Sequence, residues 1–194
     1  QCAGTPVVLN GSQTGTDYVL IQDNTFNIDT LSGTGNMIDF GPQNTTGTYT
    51  IIAIGGASTC QAAMNGFLQI QPNPLAFNIT PAGISCGSAV VGLDASETGV
   101  SYTLFKNGNN TGKTIAGTGN AISFGLQLFG NYTVEAVNQT SNCKVFMPGT
   151  LLISDLPTVN TGLDATICSS QEVMINATVS NGGTATWSAS GDGV

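Results

Sequence analysis

The feature that most constrains the fold is a phrase the chain uses twice. GTGNMIDFG, residues 33–41, returns as GTGNAISFG at 117–125, with seven of nine letters identical at an offset of 84. The match spreads well beyond the phrase. Val7 and Leu9 align with Val91 and Leu93, Ser12, Thr14 and Gly15 with Ser96, Thr98 and Gly99, and Tyr18 and Leu20 with Tyr102 and Leu104. Past the phrase the offset becomes 83. Gly47, Tyr49 and Thr50 then meet Gly130, Tyr132 and Thr133, while Cys60, Met64, Gly66 and Ile70 meet Cys143, Met147, Gly149 and Ile153. Self-similarity at a fixed period is the signature of a repeated structural module.

A third copy begins downstream: Cys168, Val173 and Ile175 follow Cys86, Val91 and Leu93 at an offset of 82. The sequence therefore divides into a repeat at 1–71 that lacks a first strand like LAFNIT (75–80), a full repeat at 72–154, and a truncated one at 155–194. Pro72, Pro74 and Pro157 fall at the joints, where short semi-rigid linkers belong.

Within a repeat the period is that of strands. In YTVEAV, Tyr132, Val134 and Ala136 share one face while Thr133 and Glu135 take the other. Strands are expected at 75–80, 89–95, 101–106, 112–116, 121–124, 131–137 and 145–154, and seven short strands in such a span predict an all-β, immunoglobulin-like sandwich. Tyr49 and Tyr132, in GTYT and GNYT, fit a tyrosine corner, in which the hydroxyl bonds a nearby backbone group at the start of strand F.

The repeated phrase has two readings. A phosphate-cradling loop needs a strand before the glycines and a helix after them. Here strand-like AISFG follows, so Gly33, Gly35, Gly117 and Gly119 read as turn residues chosen for positive φ, reversing the chain as a hairpin into strand E.

Composition narrows the function. Charged residues are only 7%, and eleven acidic residues against three Lys or Arg give a net charge of −8. Nucleic acid needs clustered Lys and Arg, so it is excluded as a partner, and an anionic membrane surface is disfavoured in the same way. No apolar run reaches the roughly 20 residues of a membrane span. With no histidine in the chain, Ser–His–Asp and Cys–His catalysis cannot be built from these residues. The carboxylates Glu97 and Glu135 face Gln13 and Ile52 in the other repeat, so no acid pair is repeated and no enzyme is expected.

The pattern Y-x-L … GTGN-x-I-x-FG … G-x-YT-x-x-A … C-x-x-x-M-x-G resembles the tandem immunoglobulin-like repeats of giant surface proteins of gliding bacteria, the SprB-type adhesins and other cargo of type IX secretion. The resemblance covers residues 1–154 well. It implies a secreted, cell-surface array with a structural or adhesive role that holds a distal region away from the cell. Its partners would be neighbouring repeats of the same chain, with surface polysaccharide or other surface proteins as the alternative, binding-module reading. The hosts of that family attach O-linked sugar at Asp-Thr/Ser-aliphatic sites, and Asp29-Thr30-Leu31 makes Thr30 a candidate acceptor.

No cofactor is expected. Asp155 and Asp164 flank the second joint and are weak calcium candidates, since calcium wants six to eight oxygens. The first joint, QPNPLAFNITPAG, has no acidic residue. Sugar binding would call on exposed aromatics, for which Phe105, Phe129 and Phe146 are candidates. Trp187, the single tryptophan, reads as core.

The five cysteines, Cys2, Cys60, Cys86, Cys143 and Cys168, lack the CxxC spacing of zinc sites. Widely spaced repeated cysteines point instead to disulfides and an oxidising compartment. Each full repeat places one before strand B and one after strand F. Pairing inside a repeat, Cys2–Cys60 and Cys86–Cys143, is the simplest scheme. In immunoglobulin order, however, those positions lie at opposite poles, roughly 25 Å apart for strands of seven or eight residues, whereas a disulfide needs Cα atoms within about 7 Å. In a tandem array the base of one repeat abuts the top of the next. Cys2 then meets Cys143 across the joint, Cys86 would meet a cysteine of the third repeat beyond Val194, Cys60 answers to a preceding repeat, and the partner of Cys168 also lies outside residues 1–194.

Overall fold

The computed structural model describes residues 1–194 except 57–59, 163–165, 169–170, 173, 175–176, 181–182, 185, 187 and 189–194. Asp164 and Trp187 lie outside the described residues.

Every element among the described residues is a β-strand. The first group comprises β1 (Thr5–Leu9), β2 (Thr16–Gln22), β3 (Phe26–Ser32), β4 (Ile38–Gln43), β5 (Gly47–Gly55), β6 (Gln61–Ala63) and β7 (Leu68–Ile70). It forms two layers. β1 and β4 pair in one, and β3-β2-β5-β6 forms the other, with β7 also on β5. The second group comprises β8 (Ile79–Thr80), β9 (Gly83–Cys86), β10 (Ser88–Leu93), β11 (Val100–Lys106), β12 (Asn109–Ala116), β13 (Ile122–Leu128), β14 (Gly130–Asn138), β15 (Lys144–Phe146) and β16 (Leu151–Ser154). Its layers are β13-β10-β8 and β12-β11-β14-β16-β9, with β15 on β14. A short ladder of β17 (Val159–Asn160) and β18 (Thr178–Val179) follows.

Alternation explains the layers. Along β11 and β14, Tyr102 faces Ala136 and Leu104 faces Val134 across the ladder, and all four are sealed from solvent. From the opposing layer Val91, Leu93, Ile122 and Phe124 close the same core. The first group repeats this with Val7, Ile38 and Phe40 packed against Tyr18, Leu20, Tyr49 and Ile51. Each fully buried Leu, Ile or Val contributes about 1.5–3 kcal/mol. A polar residue on one of these inward faces would remove that contribution and strand an unpaired group.

Three expectations change. The phrase shared by 33–41 and 117–125 is no hairpin: β3 and β4 belong to different layers, as do β12 and β13, so the chain crosses from one sheet to the other. Strand 75–80 shortens at its start to Ile79–Thr80, and Pro81, with no amide for a ladder, ends it where the chain switches layers into β9, parallel to β16. Strand 145–154 splits at Pro148 and Gly149 (φ +84°), so that β15 and β16 pair with opposite ends of β14.

The crossing shows what the repeated glycines do. Gly33 donates its amide to the Thr16 carbonyl at 2.7 Å, and Gly117 donates to that of Val100 at 2.8 Å. A Cβ on Gly33 or Gly117 would collide with the carbonyl of Gln13 or Glu97, and Gly35 and Gly119 sit at φ +84°. Ser12 Oγ and Ser96 Oγ latch the turn. Each accepts the amide of Thr34 or Thr118 and donates to the carbonyl of Asn36 or Asn120. The hydroxyls of Tyr18 and Tyr102 accept the amides of Gln13 and Glu97 at 2.9 and 2.8 Å.

Candidate functional site at the disulfide joint

The joint between the two groups is built from the start of the first and one turn of the second. Cys2 is held beside the end of the first group: Ala3 donates to the Gln71 carbonyl at 2.9 Å, and Gln71 donates to that of Gln1 at 2.8 Å. This is the parallel pairing that β9 makes with β16, where Cys86 sits opposite Ser154. The Cys2 carbonyl also accepts the Thr5 amide and hydroxyl at 3.1 and 2.7 Å.

Cys143 lies in the turn after β14. Asn138 shapes that turn with its side-chain oxygen, which accepts the amides of Thr140 and Ser141 at 2.9 and 3.1 Å. Asn142 takes positive φ (58°), a conformation Asn tolerates better than most residues. The Cys143 amide donates to Ser141 Oγ, and its carbonyl accepts the Asn138 amide at 2.8 Å. The thiol position is thus set by backbone and turn chemistry on both sides.

Cys2 and Cys143 form a disulfide with Cα atoms 5.5 Å apart across a sequence separation of 141. The pairing favoured by strand order is the one formed, and neither within-repeat pairing occurs. Cys60, Cys86 and Cys168 are exposed free thiols.

The peptide linker runs alongside. Asn73 donates to the Ala3 carbonyl at 3.3 Å, and Pro74 is buried. Downstream, Glu97 accepts the Leu75 amide at 2.9 Å. Asp94 accepts both the amide and the side-chain nitrogen of Asn78, each at 2.9 Å. The Asn78 side-chain bond is the main reason the Asp94 carboxyl is held below its usual value. The first and second groups are therefore fastened by two covalent connections, one peptide and one disulfide, with a hydrogen bond between linker and disulfide arm.

The other singled-out residues lie elsewhere. Tyr49 and Tyr132 are buried and donate their hydroxyls to the carbonyls of Thr45 and Leu128 at 2.9 and 2.8 Å. Burial, then the nearby charge of Asp23, raises the Tyr49 phenol above its ordinary value. Thr30 is exposed on β3, its amide bonded to the Asp29 carboxylate. Asp155 is exposed at the lip of a cleft shared with Cys86 and Asn131, and no metal-holding group of three His, Cys, Asp or Glu gathers among the described residues. Phe146 is exposed and meets the half-buried Phe105 edge-on, centroids 5.5 Å apart at 71°. Phe129 is exposed with Lys106 Nζ 5.0 Å from its centroid. No helix among the described residues is long and apolar enough to cross a membrane.

The serine latches and the Asp94–Asn78 clamp were missed in the sequence. Ser12 and Ser96 carried a signal, since they recur at the same offset as the phrase they hold. Asp94 carried none, because Asn10 stands at the equivalent position.

No protein-family model and no curated protein matches this chain. Among solved structures it is similar to the human OSCAR ligand-binding domain at 12% identity and a TM-score of 0.32, over 78% of this chain and 92% of that one. It is also similar to Sidekick-1 immunoglobulin domains 1–4 (13%, TM-score 0.31, 92% of this chain and 53% of that one). A third is the fibronectin(III)-like modules of Clostridium thermocellum CbhA (8%, TM-score 0.31, 79% and 88%). The chain is an all-β protein of the immunoglobulin-like sandwich type, a fold that hosts many functions.

Proposed function

We propose that this chain is a stiffened spacer: consecutive immunoglobulin-like repeats, at 1–71, 72–154 and 155–194, in an extracellular protein that carries a binding region away from a surface. The Cys2–Cys143 bridge carries this reading. A disulfide belongs to an oxidising compartment, and one placed at a joint adds little to either core but restricts how the two groups turn. A single peptide linker lets two bodies bend and twist about every axis. A second connection beside it leaves little more than one hinge.

Cys86 stands where Cys2 stands, on the segment parallel to the last strand, and Cys60 aligns with Cys143. On this reading the exposed thiols of Cys60, Cys86 and Cys168 pair with their counterparts in adjoining repeats. The surface adhesins of gliding bacteria remain the proposed setting, with Thr30 as a proposed O-glycan acceptor.

The test is the spread of joint angles, measured by electron microscopy or small-angle scattering before and after reduction. A narrow spread that widens on reduction is expected. Equal spreads in both states would remove the mechanical role and move attention to the loops as a partner-binding module.

A further inference from the structure

The second group carries on its outer face a cluster that the first group lacks. Strand alternation turns Tyr102, Leu104, Tyr132, Val134 and Ala136 into the core. Their neighbours Thr103, Phe105, Thr133, Glu135 and Val137 therefore lie on the other side of the sheet. β15 extends this face, with Phe146 opposite Glu135 and Lys144 opposite Val137, while Val145 between them packs on the core. Phe146 is 54% exposed, and Phe105 meets it edge-on across β14. Leu152, opposite Asn131 on β16, is exposed on the same side.

Two charges on this face have no partner within the chain. Glu135 and Lys144 are diagonal neighbours across the β14–β15 ladder, close enough for long side chains to meet. Yet among the described residues neither side chain forms an ion pair or a hydrogen bond. The hydroxyls of Thr103 and Thr114, by contrast, bond each other at 2.9 Å, which lowers the cost of covering that side of the face. The first group places Ile21, Ile52, Gln61 and Ala63 at the positions of Phe105, Glu135, Lys144 and Phe146. It offers neither the charges nor the aromatic pair.

We propose that this face is a homotypic interface, on which a second copy of this chain packs sheet against sheet about a twofold axis. The charge pattern selects that occupant. A twofold operation sets one surface patch on its own duplicate, so a face with one anion beside one cation is its own complement. Glu135 of each copy meets Lys144 of the other, and the Phe105 and Phe146 rings fill the gap of about 10 Å between facing sheets. A partner of uniform charge would satisfy one of the two groups and repel the other. Four strands about 4.8 Å apart and about seven residues long make a face of roughly 19 by 23 Å. That lies at the small end of specific interfaces, so the association is weak and reversible.

The interface does not rest on the spacer reading, because it concerns what lies beside the second group and not the joint. The test is sedimentation equilibrium from about 1 μM to about 1 mM, on the chain with its disulfide intact and its free thiols alkylated. Expected is a monomer–dimer equilibrium within that range. Glu135→Lys and Lys144→Glu each set like charges face to face and should weaken it at least about tenfold. An equimolar mixture of the two variants should associate again, since each supplies the sign the other lacks; that recovery also shows both to be folded. Single variants that dimerise like the native chain, or a mixture that fails to recover while both melt as the native chain does, overturn the proposal. A native chain that stays monomeric throughout assigns the face to a partner of another kind, and overturns it too.

Discussion

Pulling the chain by its two ends tests the bridge most directly. A load entering at Gln1 reaches Cys2 after one peptide bond and crosses the disulfide to Cys143, so everything between them carries no tension. The bridge spans a sequence separation of 141. At about 3.3–3.6 Å per extended residue, the shielded segment holds roughly 465–510 Å of contour, against a Cα separation of 5.5 Å across the bridge. In single-molecule force spectroscopy with handles at Gln1 and Val194, the oxidised chain withholds that length at any force below covalent rupture. Reduction, or Cys143→Ser, returns it as unfolding steps of the two groups. Closing a loop of this size also removes about 5 kcal/mol of unfolded-chain entropy at 25 °C in the chain-entropy picture, so the reduced protein denatures at a lower midpoint. Equal total extension before and after reduction would refute the load path and the stiffening argued from it.

Three further perturbations test the fold around the joint. Tyr132→Phe removes the part-buried hydrogen bond to the Leu128 carbonyl, a cost of about 0.5–1.5 kcal/mol; calorimetry should show the second group melting roughly 4–8 °C lower per kcal/mol, and an unchanged transition would deny the hydroxyl any role. Gly117→Ala drives a methyl into the Glu97 backbone, whereas Gly11→Ala meets nothing within 4 Å. Denaturant titration should therefore find the first destabilised by at least about 2 kcal/mol and the second nearly unchanged. Asp94 titrates below its ordinary 3.8 because Asn78 bonds its charged form, so its stabilisation is complete above that value and fades as pH falls through the folded one. The protection of the Asn78 amide, taken relative to its intrinsic exchange rate at each pH, should fall across that acid interval in the native protein and stay flat in Asp94→Asn; parallel profiles would place the titrating group elsewhere.

The residues that announced themselves did so by recurring. Tyr18, Gly33 and Tyr49 have identical counterparts, and in both copies they meet backbone groups of the same turns. The disulfide was legible because strand order separates the poles of one repeat by more than a cystine can span. β9 was hidden: Ile84 points outward and is 72% exposed, so GISC shows no inward alternation, and only its parallel seat on β16 makes it a strand. The Met147 sulfur was hidden too, since nothing in C-x-x-x-M-x-G tells whether the thioether merely fills space or also receives the Phe77 amide. The crossing of 33–41 was misjudged as a hairpin for a related reason. Glycines at positive φ specify a reversal, but which sheet receives the returning strand depends on β4 pairing with β1, which sets Ile38 and Phe40 beside Val7 on the face opposite Tyr18 and Leu20.

The bridge and the repeat register together constrain how such a chain bears load. Cys86 lies inside the segment that Cys2–Cys143 encloses. A bridge from Cys86 to the next repeat, drawn on the same register, would overlap the first. Overlapping closures leave no stretch of chain whose unfolding alone lengthens the whole, because each repeat sits inside the loop of at least one bridge. Surface ion pairs contribute little to stiffness, a median of about 0–1 kcal/mol each, and a chain with three Lys or Arg has few to form. On the proposed spacer reading, the Cys2–Cys143 connection would supply resistance that neither the small cores nor the sparse charges provide. Removing Cys2–Cys143 alone should therefore free one joint angle while both cores keep their melting order, the separation of effects expected of a fastening between folds.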